Sequence, residues 1–139
     1  MVSSYQRKNS NCKQNNCSYD TRRIPEIFSA PQTQQYKTCQ WQQRNPGRKL
    51  YLCYFGWVWP GAYGIKYQAL PGSWDYVQQE SVIPPANERA VWAISATHLQ
   101  GIYLSRELTQ FYQSKLLSKE PLEILGESIY LYEVLPGAP

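Results

Sequence analysis

Residues 49–56 read KLYLCYFG, and they form the first stretch of the chain whose composition calls for a buried element. Aromatic and aliphatic side chains occupy successive positions here, without the apolar and polar alternation of a strand that has one wet face. A short continuous apolar run that ends at a glycine is typical of a strand buried on both faces. We therefore predict a core strand at this stretch, within a sheet that is covered on both sides.

Two further strands and one helix are predicted downstream. Residues 89–95 (RAVWAIS) and residues 128–134 (SIYLYEV) are the other strong strand candidates. Between them Ser105 can cap a helix, and Pro121 ends it. The apolar positions at helical spacing are Leu108, Phe111, Tyr112 and Leu116. Positions 90–134 thus predict a strand-helix-strand unit with a right-handed crossover, and hence an α/β fold with a small parallel or mixed, three-layer-like sheet.

The chain divides into two parts by composition. Residues 1–48 are rich in Asn, Gln, Ser, Lys and Arg, and their sparse apolar residues fit neither a helical nor a strand period. We predict a disordered, low-complexity polar tail there, or an extension that never belonged to the fold. Residues 49–139 are predicted to form the small α/β domain.

The totals exclude several classes of function. A chain of 139 residues fits one modest domain, and its formal charge of +4 comes from scattered rather than clustered basic residues, so no nucleic-acid partner is predicted. No apolar stretch is long enough to span a bilayer, and no transmembrane segment is predicted. The cysteines and the single histidine lack zinc-site spacing, so no metal is predicted. Cys53 reads as a core residue, and Cys12, Cys17 and Cys39 as exposed or reactive thiols.

The connection after the first strand combines turn residues with aromatic ones. Residues 61–64 (GAYG) lack the length, the lysine and the strand-to-helix setting of a phosphate loop, which excludes a nucleotide site and its cofactors. Aromatic residues in and near this connection could form a sugar-stacking or membrane-facing surface. They are Trp57, Trp59, Tyr63, Tyr67 and Trp74.

Three segments resemble, in order and spacing, the C-terminal domain of bacterial membrane glycosyltransferases related to protein mannosyltransferases and aminoarabinose transferases. The segments are residues 50–56 (LYLCYFG) with residues 62–65 (AYGI), residues 92–101 (WAISATHLQG), and residues 120–121 (EP) followed by residues 125–132 (LGESIYLY). The resemblance covers roughly positions 45–139. Before it, residues 39–43 (CQWQQ) have only a faint likeness to the acidic, tryptophan-containing helix of that family.

The resemblance implies a function for the whole family rather than for this segment. Members carry many transmembrane helices, take a sugar from a polyprenyl phosphate, and keep their acidic catalytic residues in a loop between early membrane helices. None of that part is present in these residues, so the resemblance implies a domain without catalytic residues of its own. It also implies an extracytoplasmic, membrane-attached location, with a membrane glycosyltransferase or a lipid-linked sugar as partner.

His98 is the strongest candidate for a site. It follows a predicted strand, and carboxyl ends of parallel strands are where open α/β sheets bind ligands. Thr97, Gln100, Tyr103 and Tyr63 are further candidates for ligand contact. The alternative is a histidine that only hydrogen-bonds and packs, because no carboxylate lies beside it in sequence to orient it as a base.

Three functional hypotheses follow. The first is a non-catalytic accessory domain, a remnant or split product of a glycosyltransferase that uses lipid-linked sugars. The second is a stand-alone module that binds a carbohydrate or a membrane partner. The third is an independent small hydrolase that depends on His98 and a nearby carboxylate; Asp75, Glu80 and Glu88 are the carboxylates that could pair as acid and base, as glycosidases require.

Overall fold

The computed structural model describes residues 29–56, 59–74 and 80–137, which form a five-stranded mixed sheet flanked by helices. The helices are α1 (Ser29–Arg44), α2 (Ala96–Leu99) and α3 (Arg106–Leu116), with a 3-10 helix at Pro60–Tyr63. The strands are β1 (Leu50–Cys53), β2 (Gln68–Ala69), β3 (Ala90–Ser95), β4 (Glu123–Leu125) and β5 (Ile129–Val134). The predicted α/β class with a mixed sheet is confirmed.

The strand order is β2-β1-β3-β5-β4, and β5 alone among these strands runs in the opposite direction. Strands β2, β1 and β3 are parallel, whereas β5 runs antiparallel to both β3 and β4. The predicted parallel crossover from residue 90 to residue 134 is therefore wrong. After α3 the chain first forms the short strand β4, and the turn at Gly126 reverses it into β5, which inserts between β3 and β4. The crossover through α3 joins β3 to β4.

The sheet has an apolar cluster on each face. Leu50, Leu52 and Tyr54 point toward α1, where they pack with Trp41. The alternate residues of the same strand point toward α3 and pack with Tyr112 and Leu116. Because successive side chains of a strand alternate between faces, β1 is buried on both, as its composition predicts.

Helix α1 corrects the prediction of little fixed structure for residues 1–48. Within it Gln35, Thr38, Cys39 and Trp41 are buried, with Trp41 only 3% exposed. Cys39 is buried and disulfide-bonded, so it is not the exposed or reactive thiol that the sequence predicts. The helix belongs to the packed domain. A domain boundary at residue 49 would divide α1 from the sheet on which it packs. The predictions for residues 1–28 lie outside the described residues.

The ends of the parallel strands define two sides of the sheet, which we name the carboxyl edge and the amino edge. At the carboxyl edge β1 and β3 end, and the turn at Gly126 packs so closely on α1 that an added Cβ would lie 2.7 Å from Cγ of Gln34. At the amino edge β1 and β3 begin, and Gln42 exchanges two hydrogen bonds with the backbone of Lys66. Helix α1 therefore begins at the carboxyl edge and runs antiparallel to β1.

Candidate functional site

Two strand ends bring a cysteine and a histidine together at the carboxyl edge. Cys53 is the last residue of β1, and His98 lies in α2, which directly follows β3. The Ala96 N–H donates to the carbonyl of Ser128, which fixes the start of α2 against the β4–β5 turn. Nδ1 of His98 lies 3.3 Å from Sγ of Cys53, although 45 positions separate the two residues in the chain.

The Cys53–His98 pair is buried and uncharged. Burial raises the pKa of the Cys53 thiol to about 12, and the nearby Tyr112 hydroxyl only partly opposes this effect. Burial also lowers the pKa of His98, which is 1% exposed. A nucleophilic cysteine requires a thiolate, which low pKa and a charged partner favour. At neutral pH the pair is a thiol beside a neutral imidazole, so it is not an activated nucleophile.

The hydroxyl groups around the pair are used inside the fold. Oγ of Ser95 accepts from the Phe55 N–H at 3.0 Å and donates to the carbonyl of Cys53 at 3.4 Å. The Tyr112 hydroxyl donates to the carbonyl of Pro71, and burial raises the pKa of that hydroxyl. These bonds tie the ends of β1 and β3 to the following loops. Nε2 of His98 and Oγ of Ser128 differ, since neither has a hydrogen-bond partner among the described residues.

Several aromatic side chains, some of them exposed, cover the Cys53–His98 pair. The Phe55 ring contacts the His98 ring edge-on, with 5.6 Å between centroids, and it stacks on Tyr103 at 4.8 Å and 11°. Trp74 meets Phe55 edge-on at 5.5 Å. The exposed fractions are 70% for Tyr103, 51% for Trp74 and 47% for Ile102. We name these four residues, Phe55, Trp74, Ile102 and Tyr103, the aromatic patch.

Tyr103 adopts a backbone conformation that side-chain-bearing residues rarely take. Its φ is 62°, in the left-handed region. That region costs an ordinary residue of order 1 kcal/mol, and such residues cluster at functional sites. The turn after α2 therefore holds the Tyr103 ring on Phe55 at some expense in backbone energy.

The predicted ligand-contacting residues do not all meet. Thr97 is half-buried in α2, its carbonyl accepts from the Ile102 N–H at 3.1 Å, and Gln100 is exposed at the end of α2. Tyr63 is 7% exposed and packs in the cluster on the α1 side of the sheet. His98 contacts Cys53, whose side chain belongs to the α3 side. The sheet thus separates Tyr63 from His98, while Thr97 and Gln100 lie on the same short helix as His98.

The predicted carboxylate partners do not approach His98 where they are described. Glu88 precedes β3 at the amino edge, where it accepts from Lys49 at 3.0 Å and from the Tyr51 hydroxyl at 2.8 Å. The hydrogen bond from Lys49, followed by that from Tyr51, lowers the pKa of Glu88. The six residues of β3 separate Glu88 from α2 by roughly 20 Å. Glu80 is exposed, and Asp75 lies outside the described residues.

A concavity lies at the amino edge. It is a groove of about 600 Å³ between the end of α1 and the starts of β1 and β2. Arg48 and Lys49 line it, and each is paired with a carboxylate, Arg48 with Glu133 at 2.5 Å and Lys49 with Glu88. Tyr67, predicted to share an aromatic surface with Trp74, lines this groove instead. The lining is more apolar than polar, and two of its cations, Arg48 and Lys49, are neutralised by carboxylates that lie beside the groove.

Comparisons with protein families, curated proteins and solved structures give no match for this chain. Over the described ranges, no helix is long and apolar enough to cross a bilayer. Nor do three or more His, Cys, Asp or Glu side chains gather around a possible metal position in that part of the chain.

Sequence reasoning identified His98 but missed its neighbours. Cys53 read only as a core residue, and Phe55 only as the end of a strand. The signal that could have found them is positional, since both lie where β1 ends and the carboxyl ends of parallel strands meet at one edge. Tyr103 was a predicted candidate for ligand contact, but its stacking on Phe55 could not be predicted, because a left-handed tyrosine cannot be recognised from residue types.

Proposed function

We propose that this chain is a non-catalytic accessory domain of a membrane glycosyltransferase that uses lipid-linked sugars. Most residues of the segments that resemble that family fall on β1, on β3 with α2, and on the β4–β5 hairpin, while residues 62–65 and 120–121 lie in connections. The likeness therefore includes residues that build the core and the carboxyl edge. This distribution supports a shared domain.

The buried, uncharged state of the Cys53–His98 pair is the observation that supports a non-catalytic role. Sugar transfer or hydrolysis needs a group that accepts or donates a proton near the reacting oxygen, and carboxylates commonly serve. His98 is buried beneath Phe55, its described neighbours are a thiol and an aromatic ring, and Glu88 lies at the other edge of the sheet. This arrangement holds a neutral histidine and does not orient a base.

An assay for sugar release tests the proposal. The purified chain is incubated with a polyprenyl-phosphate-linked hexose in detergent micelles, with a simple acceptor, and released and transferred sugar are measured. We expect no turnover above a protein-free blank, for the wild type and for His98→Ala alike. Turnover that is lost in His98→Ala, with the thermal stability of the variant retained, would establish a hydrolase or transferase and overturn the proposal.

The second candidate is a stand-alone binding module, and the aromatic patch is the observation that favours it. The exposed Tyr103 ring, which stacks on the half-buried Phe55, provides a flat apolar face on which a sugar ring or a membrane partner can rest. Titration with short oligosaccharides, followed by tryptophan fluorescence, tests the carbohydrate form of this function. Saturable binding that Trp74→Ser removes would favour the module.

A further inference from the structure

We infer that the aromatic patch is a membrane-facing surface that rests in the headgroup region of a lipid bilayer. The inference deepens the proposed function by naming the side of the domain that faces the membrane, and it rests on that function for its biological setting. Tyrosine and tryptophan suit this location because their rings are apolar while the hydroxyl or indole N–H can bond to headgroups. Trp74 and Tyr103 are the exposed residues of this kind in the patch.

The polar groups at this edge favour a bilayer over a saccharide. A sugar site needs several hydrogen-bonding groups that converge on the ligand. Here Ser95 and Tyr112 spend their hydroxyl groups inside the fold, and Oγ of Ser73 accepts from the Tyr54 N–H at 3.0 Å. Nε2 of His98 and Oγ of Ser128 have no partner among the described residues, but both atoms are buried rather than presented to solvent. None of these groups is therefore available to a ligand over the patch, and the exposed Gln100 on α2 is a single polar side chain rather than a converging set.

The ion pairs between described residues lie toward the end of the domain opposite the aromatic patch. Arg48 and Arg89 both contact Glu133, which pairs across the sheet near the start of β3. Lys49 contacts Glu88 just before the same strand, and Arg44 contacts Glu123 at the start of β4. The ion pairs between described residues thus lie toward the amino edge, whereas the carboxyl edge carries the exposed rings of the patch together with the exposed charged residues Arg106, Glu107 and Glu127. Exposed aromatic rings beside charged groups suit a body that rests in the headgroup region by this end.

The path of the chain agrees with this orientation. Gln34 lies against the Gly126 turn at the carboxyl edge, and Ser29, five residues earlier in α1, is about 7.5 Å farther along the helix axis. The polypeptide that precedes α1 therefore joins the domain at the end that carries the aromatic patch. An attachment upstream of α1 would hold this patch, and not the amino edge, toward a bilayer.

Vesicle binding by the full chain tests the inference. The probe is a large unilamellar vesicle of phosphatidylcholine alone, which has no net charge, and bound protein is measured by cosedimentation. We expect the wild type to bind, with little change when salt is raised, because the vesicle carries no net charge to attract or repel the protein. The variant Trp74→Ser/Tyr103→Asn should bind at least about tenfold more weakly, since two rings lose their burial in the interface. Asparagine at position 103 tolerates the left-handed backbone.

A matched control removes two exposed apolar side chains elsewhere. Leu117 and Leu135 are 58% and 48% exposed, and they follow α3 and β5 respectively. We expect Leu117→Ser/Leu135→Ser to bind vesicles as the wild type does. Quenching of wild-type tryptophan fluorescence by brominated phosphatidylcholine gives a second readout that needs no variant, and quenching is the expected result.

Several results would overturn the inference. They are no cosedimentation and no quenching for the wild type, equal loss of binding in both double variants, or dimerisation through the patch without vesicle binding. Saturable oligosaccharide binding that Trp74→Ser/Tyr103→Asn removes, without vesicle binding by the wild type, would assign the patch to a sugar instead. None of these results bears on the sugar-release assay, so failure of this inference is distinguishable from failure of the accessory-domain proposal.

Discussion

At the scale of single residues, the pairing of His98 with Cys53 decides between chemistry and packing. Both groups are removed from water by the ends of β1 and β3 and by the Phe55 ring. Removal from water disfavours the charged form of each, which raises the pKa of the thiol and lowers that of the imidazole. The histidine is thus a buried neutral group, and its burial should affect how folding stability depends on pH.

We expect acid to destabilise the wild type more steeply than His98→Gln. Because the folded-state pKa of His98 is lowered, both states are unprotonated above the unfolded value of about 6.5. Below that value the unfolded chain binds a proton that the folded chain binds less readily, so stability falls as the pH drops. One proton limits this slope to about 1.4 kcal/mol per pH unit.

Chemical denaturation of the two proteins between pH 7 and pH 5 checks this expectation. The carboxylates are common to both proteins, so the difference in slope reports His98. Parallel slopes would show that His98 keeps its ordinary pKa in the folded chain and that the buried neutral state is wrong.

Cys53 should resist alkylation in the folded protein. Its side chain is 0% exposed and its pKa is raised to about 12, so little thiolate forms at pH 8 and reagents cannot reach it. We expect iodoacetamide to modify the Cys53 peptide at least about a hundredfold more slowly in native protein than in guanidinium. Peptide mass spectrometry measures this site alone. Comparable rates in both conditions would indicate an accessible, activated thiol and reopen a nucleophilic role.

At the scale of elements, the sequence predicts best where apolar residues are continuous or periodic. Strands β1, β3 and β5 come from unbroken apolar runs, and Ser105 caps α3 as predicted, with its Oγ accepting from the Leu108 N–H at 3.2 Å. Strands β2 and β4 have two and three residues, too few for a period to be seen. The chain passes from α3 into β4 before it reverses into β5. Because β4 was not predicted, the crossover through α3 was assigned to β5 instead.

Helix α1 was missed for a different reason. Its buried positions include Gln35 and Thr38, and the helix has no continuous apolar stripe. Packing against the finished sheet, rather than its own pattern, is what stabilises it. Trp41 was the available signal, as a large apolar residue at the end of a polar stretch.

Trp41→Ala tests whether α1 belongs to the domain. Because Trp41 is 3% exposed and packs on the β1 face of the sheet, we expect the free energy of unfolding to fall by about 3–5 kcal/mol. Trp74→Ala is the matched control, since Trp74 is 51% exposed, and it should cost less than about 1 kcal/mol. Urea denaturation measures both. Equal, small losses would mean that α1 is not part of the stable core.

At the scale of the whole molecule, the carboxyl edge carries the candidate site and the amino edge carries the ion pairs. Sequence reasoning could place His98 at a strand end, because β3 was recognisable. It could not place Cys53, Phe55 and Tyr103 around it, since that requires the strand order and the left-handed turn after α2. It grouped Tyr63 and Tyr67 with Trp74, although the fold sends the first to the opposite face and the second to the opposite edge.

The coding DNA immediately upstream of the Met1 codon tests the accessory-domain claim most directly, when it is read in all three frames. We expect segments of 18 or more apolar residues, each long enough to span a bilayer, followed by an acidic, tryptophan-containing stretch that leads toward α1. Such a result would join this domain to a membrane glycosyltransferase. Upstream frames without such segments, together with a transcript that starts at Met1, would contradict the claim and make the independent binding module the better account.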